Sequence, residues 1–127
     1  MSTQGQWGLT VIRVGLAAVL LWFGREQLLH AADWIGYVPN YAMSLSGLPA
    51  TTIVLANGSA EIAFGLLLFL GLFTRISAFV MGVHLALIAF SLGLNQIGVR
   101  DWGLAAALFG IALAGPGTLS IDGDASH

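Results

Sequence analysis

The stretch Ala50–Phe73, ATTIVLANGSAEIAFGLLLFLGLF, holds a single charged residue, Glu61. About 20 apolar residues, each rising ~1.5 Å, cross the hydrocarbon core of a bilayer as a helix. Three further stretches read the same way: Trp7–Leu29, Ile76–Leu94 and Trp102–Leu119. The last is short and is broken at Gly115-Pro116-Gly117, a helix-ending triplet. Met1–Gln6 contain no Lys or Arg, and the first apolar run exceeds the roughly 7–15 residues of a signal-peptide core, so it reads as a permanent helix. The expected fold is all-α: a polytopic membrane protein with a four-transmembrane-helix bundle, one domain over residues 1–127.

Composition points the same way. Charged residues make up 8% of the chain, against roughly 25% in an ordinary soluble domain. Mean hydropathy is +0.90. Too few polar groups exist to cover a soluble globule, so the lipid bilayer is the expected surrounding. The basic residues are four Arg with no Lys, and net charge is -2, which leaves no basic patch for nucleic acid. The absence of Cys removes disulfides, thiolate metal sites and thiol relays within this chain.

The longest connection, His30–Pro49, carries Trp34, Tyr37 and Tyr41. Such rings favour the headgroup layer, so an interfacial segment with a short flat helix is expected between the first two spans. The tight link at Thr74-Arg75 predicts an antiparallel hairpin of the second and third spans. The polar tail Asp122–His127 is expected to fray. Charge does not orient the bundle: Arg13 and Arg75 fall on one side, Arg25 and Arg100 on the other.

Arg13 and Glu61 are the charges expected well inside a span, and His84 sits near the middle of the third. Ionisable groups at such depth are costly and face the bundle interior or a wet cavity. A 100° helical wheel puts Arg13, Gly24 and Gln27 on one face of the first span, and Asn57 with Glu61 on one face of the second. Ser77, His84 and Ser91 form a polar stripe on the third; Ala78, Gly82 and Ala86 form a small-residue seam opposite, and Gly103 with Ala107 and Gly110 with Ala114 repeat that seam on the fourth. At ~1.5 Å per residue, Arg13 and His84 share a layer ~9–12 Å deep, and Glu61 at ~18 Å comes within reach of His84, Gln27 or Arg100. One reading is a polar cavity lined by Arg13, Glu61 and His84, supported by Asn57, Gln27, Ser77 and Ser91, that takes the head group of a small amphipathic molecule, a quinone first among them. The other is that these groups satisfy one another and fix helix packing. No metal site is expected. His84 and His30 lie ~18 Å apart in depth, too far to share one haem iron, and Glu61 alone cannot build a di-iron site. No cofactor is thus bound by this chain alone.

Three motifs resemble those of the DoxX family of small four-helix membrane proteins: RVGLAAVLLWFGREQLL with Arg13 and Gly24, AEIAFGLLLFLGLFTR with Glu61 and Gly65, and the terminal GPGTLSID. Two positions depart from the family pattern: Gln27 stands where a Lys is usual, and Thr118 where an Arg is common. Gly115, Pro116, Gly117, Ser120 and Asp122 also have a local reading, in which Gly and Pro end the helix and Ser120 and Asp122 accept backbone N–H groups in a surface turn. The resemblance implies a subunit of a quinone-linked membrane oxidoreductase, in a prokaryotic cytoplasmic membrane with both termini cytoplasmic. Two alternatives stay open: a non-enzymatic scaffold or accessory subunit of a larger complex, and, ranked lower, a small-molecule or proton carrier. Either of the first two implies partner subunits or self-association.

Overall fold

The computed structural model describes residues 2–123. Five α-helices follow in order: α1 Thr3–Leu29, α2 Asn40–Ser46, α3 Ala50–Leu70, α4 Thr74–Leu92 and α5 Gln96–Ala114. Of these, α1, α3, α4 and α5 are long and apolar enough to cross a membrane. The chain is an all-α integral membrane protein with four spans. Two single 3-10 turns, Ala31–Asp33 and Ile35–Tyr37, join α1 to the short α2. The short α2 falls in the long connection, where a short helix is expected.

Each span starts and stops on local chemistry. Ser2 caps α1 by accepting the Gly5 N–H at 3.0 Å. Pro49 precedes α3, and Gly71 ends it in the left-handed conformation at φ +70°. Asn95 caps α5, its side chain accepting from the Gly98 N–H at 2.7 Å. This cap corrects the expected start of the fourth span. The helix begins at Gln96 rather than Trp102, so Arg100 and Asp101 belong to its second turn. It stops at Ala114, before Gly115-Pro116, rather than at Leu119.

The spans pack as two close pairs, α1 with α3 and α4 with α5. The expected α3–α4 hairpin is therefore looser than its tight turn suggests: the two helices are joined there but each finds its main partner elsewhere. The reason lies in the small residues. A Cβ built on Gly24 would sit 2.9 Å from the Gly58 carbonyl oxygen, and one built on Gly58 would sit 3.0 Å from that of Gly24. Backbone meets backbone there, which is how helices associate where lipid removes the hydrophobic drive. Gly82 of the expected seam does pack, against the Phe109 ring. Gly103 and Gly110 do not: nothing lies within 4 Å of either added Cβ, so that half of the α5 seam faces outward. The shared interior consists of Leu16, Ala17 and Leu20 with Leu68, Met81, Leu85, Leu108 and Ile111.

The tail is not free where it is described. Ile121 and Asp122 donate their N–H groups to the Leu70 and Gly71 carbonyls at 2.9 and 2.8 Å. Residues 124–127 of the expected frayed tail lie outside the described residues.

Candidate functional site

The residues singled out from the sequence fall into two separate places. Arg13 is fully buried, and its guanidinium uses every N–H direction on main-chain oxygens. Nε reaches Pro116 O at 2.8 Å; Nη1 reaches Leu68 O and Phe69 O at 2.7 and 2.8 Å; Nη2 reaches Thr118 O and Leu119 O at 3.0 and 2.7 Å. Leu68 and Phe69 lie in the last turn of α3, where carbonyls gather negative partial charge; the Leu68 oxygen also accepts the Gly71 N–H at 3.1 Å. A planar five-donor cation answers them without a carboxylate. Arg13 thus ties α1 to the end of α3 and to the segment after α5, and it does not line the cavity it was expected to share.

The Gly115–Asp122 segment is the other half of this joint. Gly117 adopts φ +77°, and a Cβ there would come within 2.5 Å of the Gln6 carbonyl oxygen. Thr10 Oγ1 donates to Thr118 O at 2.7 Å. The Asp122 carboxylate accepts the N–H groups of Phe73 and Thr74, both at 2.9 Å, and so caps α4. Burial alone would raise the Asp122 carboxyl; the Thr74 and Phe73 hydrogen bonds and the Arg13 charge outweigh it and hold the group below the ordinary carboxylate range. Ser120 does not serve as an acceptor; its hydroxyl donates to Gly123 O at 3.1 Å. Arg75 turns away, to the Leu113 carbonyl at 2.8 Å.

The second place is a cavity of about 440 Å³ at the opposite end of the bundle, under the α1–α3 connection. Its polar wall is a continuous chain of side chains from three helices. Glu61 Oε2 accepts from Gln27 Nε2 at 3.0 Å. Gln27 Oε1 accepts from Asn57 Nδ2 at 2.7 Å. Asn57 Oδ1 in turn bonds His84 Nε2. The Gly24–Gly58 contact explains the first two links, because Gln27 lies one turn past Gly24 and Asn57 sits beside Gly58. Glu61 and His84 were expected together, and they are, through two amides rather than directly. Ser77 is buried two turns from His84 and lines no part of the cavity. Ser91 does not line the cavity either; it pairs with the Tyr41 hydroxyl of α2.

Several residues of this site escaped the sequence reading. Asp101 is 1% exposed, and its Oδ1 takes both Nε and Nη2 of Arg100, at 2.9 and 2.7 Å. The Arg100 guanidinium lies 4.2 Å above the Phe23 ring. Phe23 meets Trp34 edge-on at 5.7 Å, and Trp34 meets Tyr37 at 5.6 Å. Trp34, Tyr37 and Tyr41 thus roof the cavity instead of only marking a headgroup layer. The available signal was the Asn95 cap, which starts the helix early and puts Asp101, Ala105 and Leu108 on one face at helical spacing. Among the described residues no three His, Asp or Glu side chains converge as a metal site.

The DoxX family model matches residues 8–94. The chain belongs to the DoxX family. Neither the curated proteins nor the solved structures gave a match. The DoxX match takes in Arg13 and the whole Gln27–Asn57–Glu61–His84 chain. It stops before Arg100, Asp101 and the Gly115–Asp122 segment, so the terminal motif that suggested the family lies beyond the matched residues.

Proposed function

We propose that the roofed cavity receives the head group of a membrane-soluble quinone, and that this DoxX protein is the quinone-binding subunit of a membrane oxidoreductase system. The observation that carries this reading is the Glu61–Gln27–Asn57–His84 chain along one wall of a cavity that is apolar over much of the rest of its lining. Ligand pockets commonly enclose ~300–1,000 Å³ and pair apolar walls with a few placed polar groups. Ile53, Val54, Leu87 and Ile88 supply the apolar walls, and the Trp34 and Tyr37 rings offer stacking faces. Glu61, His84 and Asp101 are groups able to exchange protons, and quinone reduction needs two protons with its two electrons. The electrons come from a partner redox protein docked on the bundle. In a prokaryotic cytoplasmic membrane with both termini inside, the cavity would open toward the outer leaflet and the Arg13–Asp122 joint would lie at the cytoplasmic face.

The test is a titration of purified protein in nanodiscs with a short-tailed benzoquinone, followed by tryptophan quenching. Saturable binding is expected, with His84→Ala and Glu61→Gln each weakening it about tenfold, the loss of one good polar contact. Binding that is absent, or unmoved by both substitutions in folded protein, would overturn the reading.

A further inference from the structure

The polar wall has a property that its bond lengths alone do not express. Each of its two amides has one donor end and one acceptor end. Gln27 donates to Glu61, so it accepts from Asn57; Asn57 then accepts from His84, so His84 carries its proton on Nε2. This order suits an ionised Glu61. With a proton on Glu61 Oε2, a second order satisfies the same three links. Glu61 donates to Gln27, Gln27 to Asn57, and Asn57 to His84 Nε2. It requires half-turns of the two amides and leaves the His84 proton on Nδ1. A mixed order breaks a link in a partly buried chain, at a cost of roughly 1–3 kcal/mol per unsatisfied group. Oε2 is the carboxylate oxygen that faces Gln27, so a proton placed there enters the chain.

We infer that Gln27 and Asn57 are positioning residues that couple the protonation of Glu61 to the tautomer of His84, so that the nitrogen His84 offers to the cavity is an acceptor when Glu61 is ionised and a donor when it is protonated. The inference rests on the proposed cavity function only for its use. Nδ1 is the ring nitrogen that Asn57 leaves free. A bare Nδ1 receives the hydroxyl of a quinol; an Nδ1–H grips the carbonyl of a quinone. The ligand class that fits is therefore a pair of redox forms differing by carbonyl and hydroxyl, each matched by one state of the chain. His84 holds one proton in both states, released from Nε2 and regained at Nδ1 through water in the cavity, and the net uptake is the single proton on Glu61. Arg100 and Asp101 of α5 and Tyr37 and Tyr41 of the roof also face the cavity, but none of them is a link in the chain.

The test uses the protein in nanodiscs without quinone. The ¹⁵N resonances of the His84 ring report which nitrogen is protonated, assigned by difference against His84→Gln. The acid carbonyl infrared band of Glu61, assigned against Glu61→Gln, reports its titration. The expected result is full replacement of the Nε2–H tautomer by Nδ1–H in step with the infrared band. Gln27→Leu should leave the Glu61 band titrating while His84 no longer follows it. Asn57→Leu should do the same, and serves if Gln27→Leu does not fold. A His84 tautomer that stays fixed while Glu61 titrates, an imidazolium in place of Nδ1–H, or an unchanged switch in both leucine variants would overturn the inference. Because no quinone is present, failed quinone binding leaves the switch standing, and a bound quinone over a fixed tautomer overturns the switch alone.

Discussion

Arg13 and Pro116, 103 positions apart in the chain, are joined by a 2.8 Å hydrogen bond from Nε to the carbonyl oxygen. It is one of five bonds that spend the whole guanidinium on the backbone. Replacing Arg13 with Met strands buried carbonyls on α3 and after α5. The expected loss is at least ~3 kcal/mol, since each buried group left unpaired costs about 1–3 kcal/mol. Arg13→Lys should recover less than half, because an ammonium cannot reproduce a planar fork. Unfolding followed by circular dichroism in mixed micelles measures both. A neutral Arg13→Met would deny the clamp.

Gly117→Ala should also destabilise, by ~2 kcal/mol or more, from a positive φ and a collision with the Gln6 carbonyl. Gly110→Ala is the control: inside α5 its added methyl meets nothing within 4 Å, and the change should stabilise by about 0.5–1 kcal/mol. The comparison needs only the two midpoints.

The Asp122 cap predicts a pH signature. Its carboxyl is depressed in the folded state, so its contribution is fully present above the ordinary aspartate range and is lost as pH falls through the depressed value. Wild type should exceed Asp122→Asn by roughly 0.5–2 kcal/mol at neutral pH, the usual worth of a helix cap. That gap should close only at acid pH, below about 3.9, the free aspartate value. A gap that is absent, or that persists after protonation, would remove the carboxylate from the cap.

Much of the fold was legible because hydropathy reports the bilayer directly. Ala50–Phe73 contains α3 outright, and the Gly-Pro break marks the end of α5. The pairing of helices was less legible. It depends on Gly24 meeting Gly58, and Gly58 carries no signal of its own beyond being small. Arg100 and Asp101 read as span-end charges. Their mutual ion pair and the Phe23 ring beneath let them enter the helix instead. Arg13 illustrates the limit of depth arithmetic. It was sorted with His84 by layer, yet its partners are backbone oxygens, which no residue pattern displays. Gln27 and Asn57 were visible as polar residues on the right faces, but their role as a chain depends on contacts between helices.

The roof should move more easily than the bundle. Tyr41→Phe removes the bond between α2 and Ser91 of α4. Amides of α2 should exchange faster in that variant, while global stability falls by less than ~1.5 kcal/mol. Hydrogen-exchange mass spectrometry separates the two. Unchanged α2 exchange would show that Tyr41 does not hold the roof.

The most direct measurement is photolabelling in native membranes with an azido-quinone, followed by peptide mapping. Label is expected on the roof peptide containing Trp34–Tyr41 and on the α3 segment Ile53–Glu61, competed away by excess unlabelled quinone and reduced in His84→Ala. Label confined to lipid-facing positions such as Phe79 and Phe90, or label that excess quinone does not displace, would contradict quinone binding in this cavity.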